Sequence, residues 1–450
     1  MTPRSMEPAE TAAASTAGPE ASAAPLTRAP EASASAVPAA ARLPLVTLTP
    51  DAQGPLTGIR VVDLSRLLSG NMLSLQLADL GADVIKVETA GKGDALRDWV
   101  EPHPDYADGF NGWWRAYCRN KRSVALDLRD PEGLAWLKRL LDTADVMIEN
   151  FKPGTLEAMG LAPEQLHQTR PQLVIARISG WGQTGPYSGL PGFGSLVEGF
   201  CGYAHKHRDP TGHPQLPNLA LADMITGFAG AFSVMAALRE VEVRGGKGQV
   251  VDLSLLDPIV AVMGPDVTMY AATGRMVDPA RKIASPRGSY RCSDGRWVAM
   301  SGSTEPMARR VFDAIGRLHL MDDPRYATNA ARLERDDEID RMVADFVAER
   351  PRDEVLALFR AKGVTMGPIL DPQQLLEDPH VAGRGVYVQL DDGSGEPPTV
   401  MHGITPRLRA TPGSFRRRAP RLGEHTAEVL AELDPAGRGE GYAPEPRDRS

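Results

Sequence analysis

Cysteine is scarce in this chain: Cys118, Cys201 and Cys292 are the three present, all far apart in sequence. No C-x-x-C pair occurs, so neither a zinc knuckle nor a redox couple is encoded. A sparse, odd count suits a reducing cytoplasm, which is the expected location. His205, His207 and His213 lie near one another, yet no H-E-x-x-H or H-x-x-x-H spacing exists. A metal site is therefore not expected. The phosphate-loop lysine motif and the G-x-S-x-G elbow are both missing. Their absence removes the usual starting points for a phosphate-loop nucleotide site or an α/β-hydrolase. No uninterrupted apolar run approaches the ~20 residues that span a bilayer. The N-terminal stretch, broken by Glu and Pro, is unlike a signal peptide. A net charge of −8 argues against a nucleic-acid partner, though it leaves room for a local basic pocket. The expectation is a soluble protein with neither nucleic acid nor membrane as partner.

What is present is ordinary globular composition over 450 residues, enough for a large core and more than one domain. Residues 1 to about 45 are dominated by Ala, Pro, Ser, Thr and Glu and contain no aromatic residue. Such a segment buries too little apolar surface to offset its ordering entropy, so it reads as disordered. From Gly58 a pattern of strand, helix and strand begins. Gly58–Leu64 and Ala82–Glu88 are apolar strands, with a helix over Asn71–Leu80 between them that ends at Gly81. Ser123–Leu128, Val146–Asn150 and Leu173–Ile178 read as further strands, and Pro131 opens a helix through Leu141. This is an α/β layer architecture with a mostly parallel sheet. Further on, Met224–Arg239 reads as a long helix and Gln249–Leu253 as a strand, with another helix reaching about Ala272. Ser289–Met300 looks like a hairpin turning at Asp294-Gly295, followed by three amphipathic helices between Glu305 and Lys362. A last helix is expected over Glu424–Leu433.

Three features could carry chemistry. Asp223 sits where an apolar stretch meets the start of the long helix, so the helix dipole and free N–H groups would stabilise its charge. It could be a nucleophile, a base or a plain helix cap. A glycine-rich loop, Ser179–Tyr187 with Pro191–Ser195, follows a strand end and reads as a substrate loop or a structural turn. Finally, Arg66, Lys86, Lys121, Arg122, Arg129 and Lys152 lie near strand ends, where α/β proteins bind ligands.

Several segments in fixed order resemble the class III CoA-transferase (CaiB/BaiF) family. They are Leu56–Ser65, Leu77–Glu88, Asn120–Ser123, Glu149–Gly154, Gly182–Tyr187, Gly248–Asp252, Gly367–Ile369 with Asp378–His380, and Leu422–Thr426. The resemblance runs from about residue 54 to 435. It implies a Rossmann-like large domain built from both chain ends, a smaller α+β domain between, and a homodimer of two interlocked rings. It also places the catalytic Asp at Asp223, with coenzyme A, as acyl-CoA, and a small carboxylic acid as substrates and no metal. The implied reaction moves CoA through a mixed anhydride and an aspartyl-CoA thioester. The family's CoA contacts fall on Arg66, Ser69 and Gly70, on Leu126, Asp127, Leu128 and Arg129, and on Asn150, Phe151 and Met159. A guanidinium at Arg129 suits a ribose phosphate.

On this basis residues 1–50 are a tail, 51–250 the first part of the large CoA-binding domain, and 251–284 a linker. Residues 285–365 form the small domain, and 366–450 return to the large one. Thr89 stands where an Arg often follows Glu88. The glycine run of the formyl/oxalate enzymes has no counterpart before Arg287–Ser289. Where some transferases carry an acid, this chain has Gly194, with Glu198 the nearest carboxylate. These departures point away from oxalate and towards a medium-sized organic acid, with succinyl-CoA as donor. Related racemases place a second base where Phe193 stands here. A racemase or isomerase using Asp223 as base, and a non-catalytic CoA-binding subunit of a heteromer, are the alternative readings.

Overall fold

Alternate residues of one parallel sheet point into two separate cores. The computed structural model describes residues 43–106, 109–209, 211–278 and 282–434. In chain order its first strands are β1 (Leu45–Thr47), β2 (Arg60–Asp63), β3 (Asp83–Thr89), β4 (Lys121–Leu126), β5 (Val146–Glu149), β6 (Val174–Ser179) and β7 (Val250–Ser254). The large sheet has the order β4-β3-β2-β5-β6-β7 and is parallel throughout, with Asp63 opposite Lys86 and Ile148 opposite Ala176. Val61, Val84, Ile148 and Ala176 pack on one face with Leu73, Leu77, Val234 and Leu238. Val62, Ile85, Met147 and Ile175 pack on the other with Leu137, Leu140, Val429 and Leu430. These strands are apolar on both faces because helices cover both, which is why they read as unbroken runs in the sequence. The expected mostly parallel α/β sheet is what forms.

The first face is covered by two helices, Ser69–Asp79 and Leu221–Arg244. Their close approach depends on glycine. A Cβ at Gly227 would lie 2.5 Å from Met72 Cγ and 3.1 Å from the Ser69 carbonyl oxygen. Leu221–Arg244 holds no uninterrupted apolar run of that length, yet it is long and apolar enough to cross a membrane by length and composition. The reason is that Asp223 is the sole charged residue before Arg239. Here the helix buries Ala222, Thr226, Gly230, Val234 and Leu238 against the sheet and its neighbour.

The remaining strands are β8 (Arg287–Arg291), β9 (Trp297–Ser301), β10 (Met366–Ile369), β11 (Tyr387–Asp391) and β12 (Thr399–His402). β8, β9 and β10 form an antiparallel sheet over a core of its own that includes Phe312, Val343, Val347 and Phe359. A third sheet has the order β1-β11-β12. The tail expected over residues 1–50 therefore extends too far. Leu45–Thr47 pairs in parallel with β11, and Leu43 beside it is buried. The rest of that tail, residues 1–42, lies outside the described residues.

The helix expected through Ala272 is two, Leu256–Val262 and Asp266–Thr273. Gly264 between them takes a φ of 87°, which favours glycine, and Pro265 has no N–H to continue the ladder. Two short helices, Pro324–Ala327 and Asn329–Leu333, add to the three expected between Glu305 and Lys362.

Candidate active site

The strand order reverses between β2 and β5, and open α/β sheets bind ligands in the crevice beyond such a point. The loops that leave these two strands are tied together there. Arg66 N donates to Asn150 Oδ1 at 2.9 Å, and Asn150 Nδ2 donates back to Arg66 O at 2.7 Å. The Arg66 guanidinium lies 5.6 Å from the centroid of the Phe151 ring. Leu67 follows with φ 62°, a left-handed conformation that costs a leucine on the order of 1 kcal/mol. Asp94 Oδ1 accepts from Leu67 N at 2.9 Å, and Asn71 Nδ2 bridges Leu67 O and Asp94 Oδ2.

Beneath this loop lies a buried ion cluster that the sequence does not announce. Lys86 and Lys121, read as ligand-binding cations near strand ends, are both 0% exposed. Lys86 Nζ sits 3.1 Å from Asp94, 3.5 Å from Asp63 and within hydrogen-bonding reach of Ser65 O. Burial alone would lower the Lys86 ammonium, but Asp63 and Asp94 outweigh it and hold it well above the ordinary lysine value. Burial likewise pushes Asp63 up, and the Lys86 and Lys121 charges with the Ser65 and Ser74 hydroxyls bring it below its usual value. Lys121 donates to Asn71 Oδ1 at 2.8 Å. The cluster thus fixes the loop that presents Arg66 and is no ligand site. Arg122 is spent elsewhere, on Asp83, Glu428 and Glu432.

Asp223 lies in the first turn of the Leu221–Arg244 helix, three residues past the cap position Ala220, so it is no N-cap. Its carboxyl is held up at about 6, with burial the largest cause. Within that balance, hydrogen bonds from the Ser69 hydroxyl and amide pull it down and the charge of Glu198 adds to the upward push. The glycine-mediated contact of the two helices is what brings Ser69 to this carboxylate. Gly194 leaves room on the other side: a Cβ there would lie 2.4 Å from Asp223 Oδ2. Gly180 and Gly192 meet back to back, each with a Cβ position within 2.5 Å of the other's Cα. That contact closes the base of the glycine-rich loop.

Asp223 opens into a cavity of about 490 Å³ whose walls include Arg66, Ser69, Asn150, Phe151, Lys152 and Phe193. A second cavity of about 340 Å³ shares Arg66 and Phe151 as walls and adds Asp127, Leu128, Arg129 and Met159. Of the ten CoA contacts that the resemblance implies, eight line one or both of these cavities, and Asp223 lines the first. Two line neither. Leu126 packs in the core behind the sheet. Gly70 is buried where a Cβ would fall 2.1 Å from Ser65 Oγ. No histidine is among the residues lining the Asp223 cavity. Asp94, Leu67 and the contact of Glu198 with the Asp223 helix escape sequence reasoning, because each acts through a partner distant in the chain.

Known proteins resemble this chain in sequence and in fold. The family model described as CoA-transferase family III matches residues 56–426. The chain is 37% identical to succinate–glutarate CoA-transferase of Agrobacterium fabrum, over 86% of this chain and 98% of that protein. It is 36% identical to succinyl-CoA–D-citramalate CoA-transferase of Chloroflexus aurantiacus, covering 84% and 94% respectively. A crystal structure of a CaiB/BaiF family protein from Brucella suis superposes with a TM-score of 0.74 at 32% identity, over 85% of this chain and all of that one. An α/β protein with a carboxylate in the switch-point cleft is thereby placed: the chain belongs to CoA-transferase family III.

Proposed function

We propose that this protein transfers CoA from an acyl-CoA thioester to a free carboxylic acid through a covalent intermediate on Asp223. The observation that carries the reading is the placement of Asp223, half-buried in the wall of a cavity of about 490 Å³ that shares Arg66 and Phe151 with a second cavity. Arg129 lines that second cavity, where a guanidinium suits a phosphate-bearing group.

The steps follow from the groups present. The Asp223 carboxylate attacks the thioester carbonyl and releases CoA thiolate, leaving a mixed anhydride. The thiolate then attacks the Asp223 acyl carbon and expels the donor acid, so CoA is held as an aspartyl thioester. The acceptor carboxylate attacks that thioester, and the thiolate returns to the acceptor's acyl carbon, freeing Asp223. Each step exchanges one acyl bond for another, so the thioester energy is conserved and no water is consumed. A carboxyl held near 6 is ionised at neutral pH and more basic than an exposed aspartate, which favours nucleophilic attack.

The names of both relatives pair succinate or succinyl-CoA with a second acid, glutarate or D-citramalate, in CoA transfer. Succinyl-CoA as donor and a small dicarboxylic acid as acceptor are therefore the substrates proposed here. Racemisation would need a second base opposed to Asp223. Phe193 lines the cavity instead, which favours transfer. A homodimer is proposed as well: Phe228, Phe232 and Met235 expose an apolar face of the long helix, Phe232 to 76%, as a surface for a second copy. Light scattering would read the mass directly.

The test is exchange. The purified protein is given succinyl-CoA and a panel of free acids, and the thioesters formed are resolved by liquid chromatography and mass spectrometry. A new acyl-CoA matched by released succinate, lost in Asp223→Ala, is the expected result. Thioester hydrolysis alone, or α-carbon deuterium exchange without transfer, would overturn the reading.

A further inference from the structure

The helix that carries Asp223 begins without a cap of its own. Ala220 holds the cap position and offers no side-chain acceptor, although the first-turn N–H groups of a helix need one. The acceptor comes from elsewhere in the chain. Glu198, only 2% exposed on the Gly194–Phe200 helix, takes a hydrogen bond from Ala222 N at 3.0 Å. Gly194, one turn earlier on the same short helix, shows how near the two acids are. A Cβ there would lie 2.4 Å from Asp223 Oδ2 and 3.8 Å from Glu198 Oε1. Two carboxylates therefore flank one glycine, one facing the cavity and the other behind it.

We propose that Glu198 is the positioning residue of Asp223: its carboxylate caps the first turn, and its charge favours the state in which Asp223 is a neutral thioester. This rests on the reading that Asp223 carries CoA. Two like charges at a partly buried site repel, and removing either one releases the strain. Protonating Asp223 removes its charge, and so does acylating it. The same repulsion that raises the carboxyl therefore stabilises the aspartyl thioester relative to the free carboxylate. No bond to Glu198 forms or breaks at any step. The other charged groups about Asp223 are Arg66 and Lys152, which line its cavity, while the Ser69–Asp79 helix contributes the Ser69 hydroxyl and amide. Burial opposes the ionisation of Asp223 most, and Glu198 is the charged group that adds to that opposition.

The test uses the full-length protein and three variants. Glu198→Gln keeps an oxygen that can accept from Ala222 N but removes the charge. Glu198→Asp keeps the charge on a shorter stem, and Glu198→Ala removes both. Each is incubated with succinyl-CoA across the carboxyl titration range. The aspartyl adduct is quantified by intact mass, and CoA binding and thermal unfolding are measured alongside.

Glu198→Gln is expected to bind CoA and unfold like the wild type. Its pH midpoint for adduct formation should fall by on the order of one unit, with about tenfold less adduct at equilibrium. Glu198→Asp should keep the high midpoint. Glu198→Ala should lose adduct and also unfold earlier. A midpoint and adduct yield in Glu198→Gln equal to the wild type would overturn the electrostatic role, and a Glu198→Ala protein as stable as the wild type would overturn the capping role. Should Glu198→Gln fail to fold, the Glu198→Asp midpoint decides: if it drops to the ordinary aspartate value, the charge has no part. Absence of adduct in the wild type would instead sink the underlying reading of Asp223, so the two failures are distinct.

Discussion

Arg66 and Asn150 hold each other by a reciprocal pair of hydrogen bonds, 2.9 Å and 2.7 Å long, across the point where the strand order of the sheet reverses. The pair joins the loops after β2 and β5, and both cavities have Arg66 and Phe151 in their walls. Asn150→Ala removes both bonds at about 1 kcal/mol each and frees the two loops. CoA affinity is expected to fall roughly tenfold by isothermal titration calorimetry. Asn150→Asp cannot donate to Arg66 O and should fall between.

Gly194→Ala places a methyl 2.4 Å from Asp223 Oδ2. The carboxylate must move by about an ångström, and such a displacement of a reacting group costs on the order of 100-fold. CoA transfer should drop by that factor in a steady-state assay while CoA affinity stays within about twofold, because Arg129 and Met159 line the other cavity.

The raised carboxyl of Asp223 gives two pH signatures. In the proposed reaction Asp223 attacks in its ionised form, so transfer should fall as the pH drops through about 6. Stability runs the other way. A carboxyl whose folded value lies above its unfolded value of 3.8 favours folding while protonated, and that contribution is lost as the pH rises through about 6. Asp223→Asn should therefore be more stable than the wild type above pH about 7, by on the order of 2 kcal/mol, with the gap closing in acid. Urea unfolding at both ends of the range checks the sign.

Asp94 binds four groups at once: Lys86, Leu67 N, Leu96 N and Asn71. Asp94→Ala leaves Lys86 with Asp63 as its remaining buried counter-ion and releases the left-handed Leu67. Loss of one partner of a buried pair costs about 3–5 kcal/mol. A destabilisation near the lower figure is expected in urea, together with weaker CoA binding, because Arg66 is the neighbour of Leu67.

Much of this could be read from the sequence because the strands are short apolar runs bounded by turns. Arg60–Asp63, Asp83–Thr89 and Val174–Ser179 stand out for that reason, and Asp223 was marked by its place at the start of a long apolar helix. What could not be read depends on partners far apart. Lys86 and Lys121 look like ligand-binding cations until Asp63 and Asp94 are seen beside them. β1 has no signal of its own, since its partner β11 lies more than three hundred residues away. Glu198 reads as one more acid on a short helix, and its meaning comes from Ala222 N.

The central claim is a CoA thioester on Asp223. The most direct measurement is intact-protein and peptide mass spectrometry after brief incubation with succinyl-CoA, followed by hydroxylamine. A CoA adduct mapped to Asp223, converted to the hydroxamate and absent from Asp223→Ala, is the predicted result. CoA binding without any adduct at Asp223, whichever donor is supplied, would contradict the account.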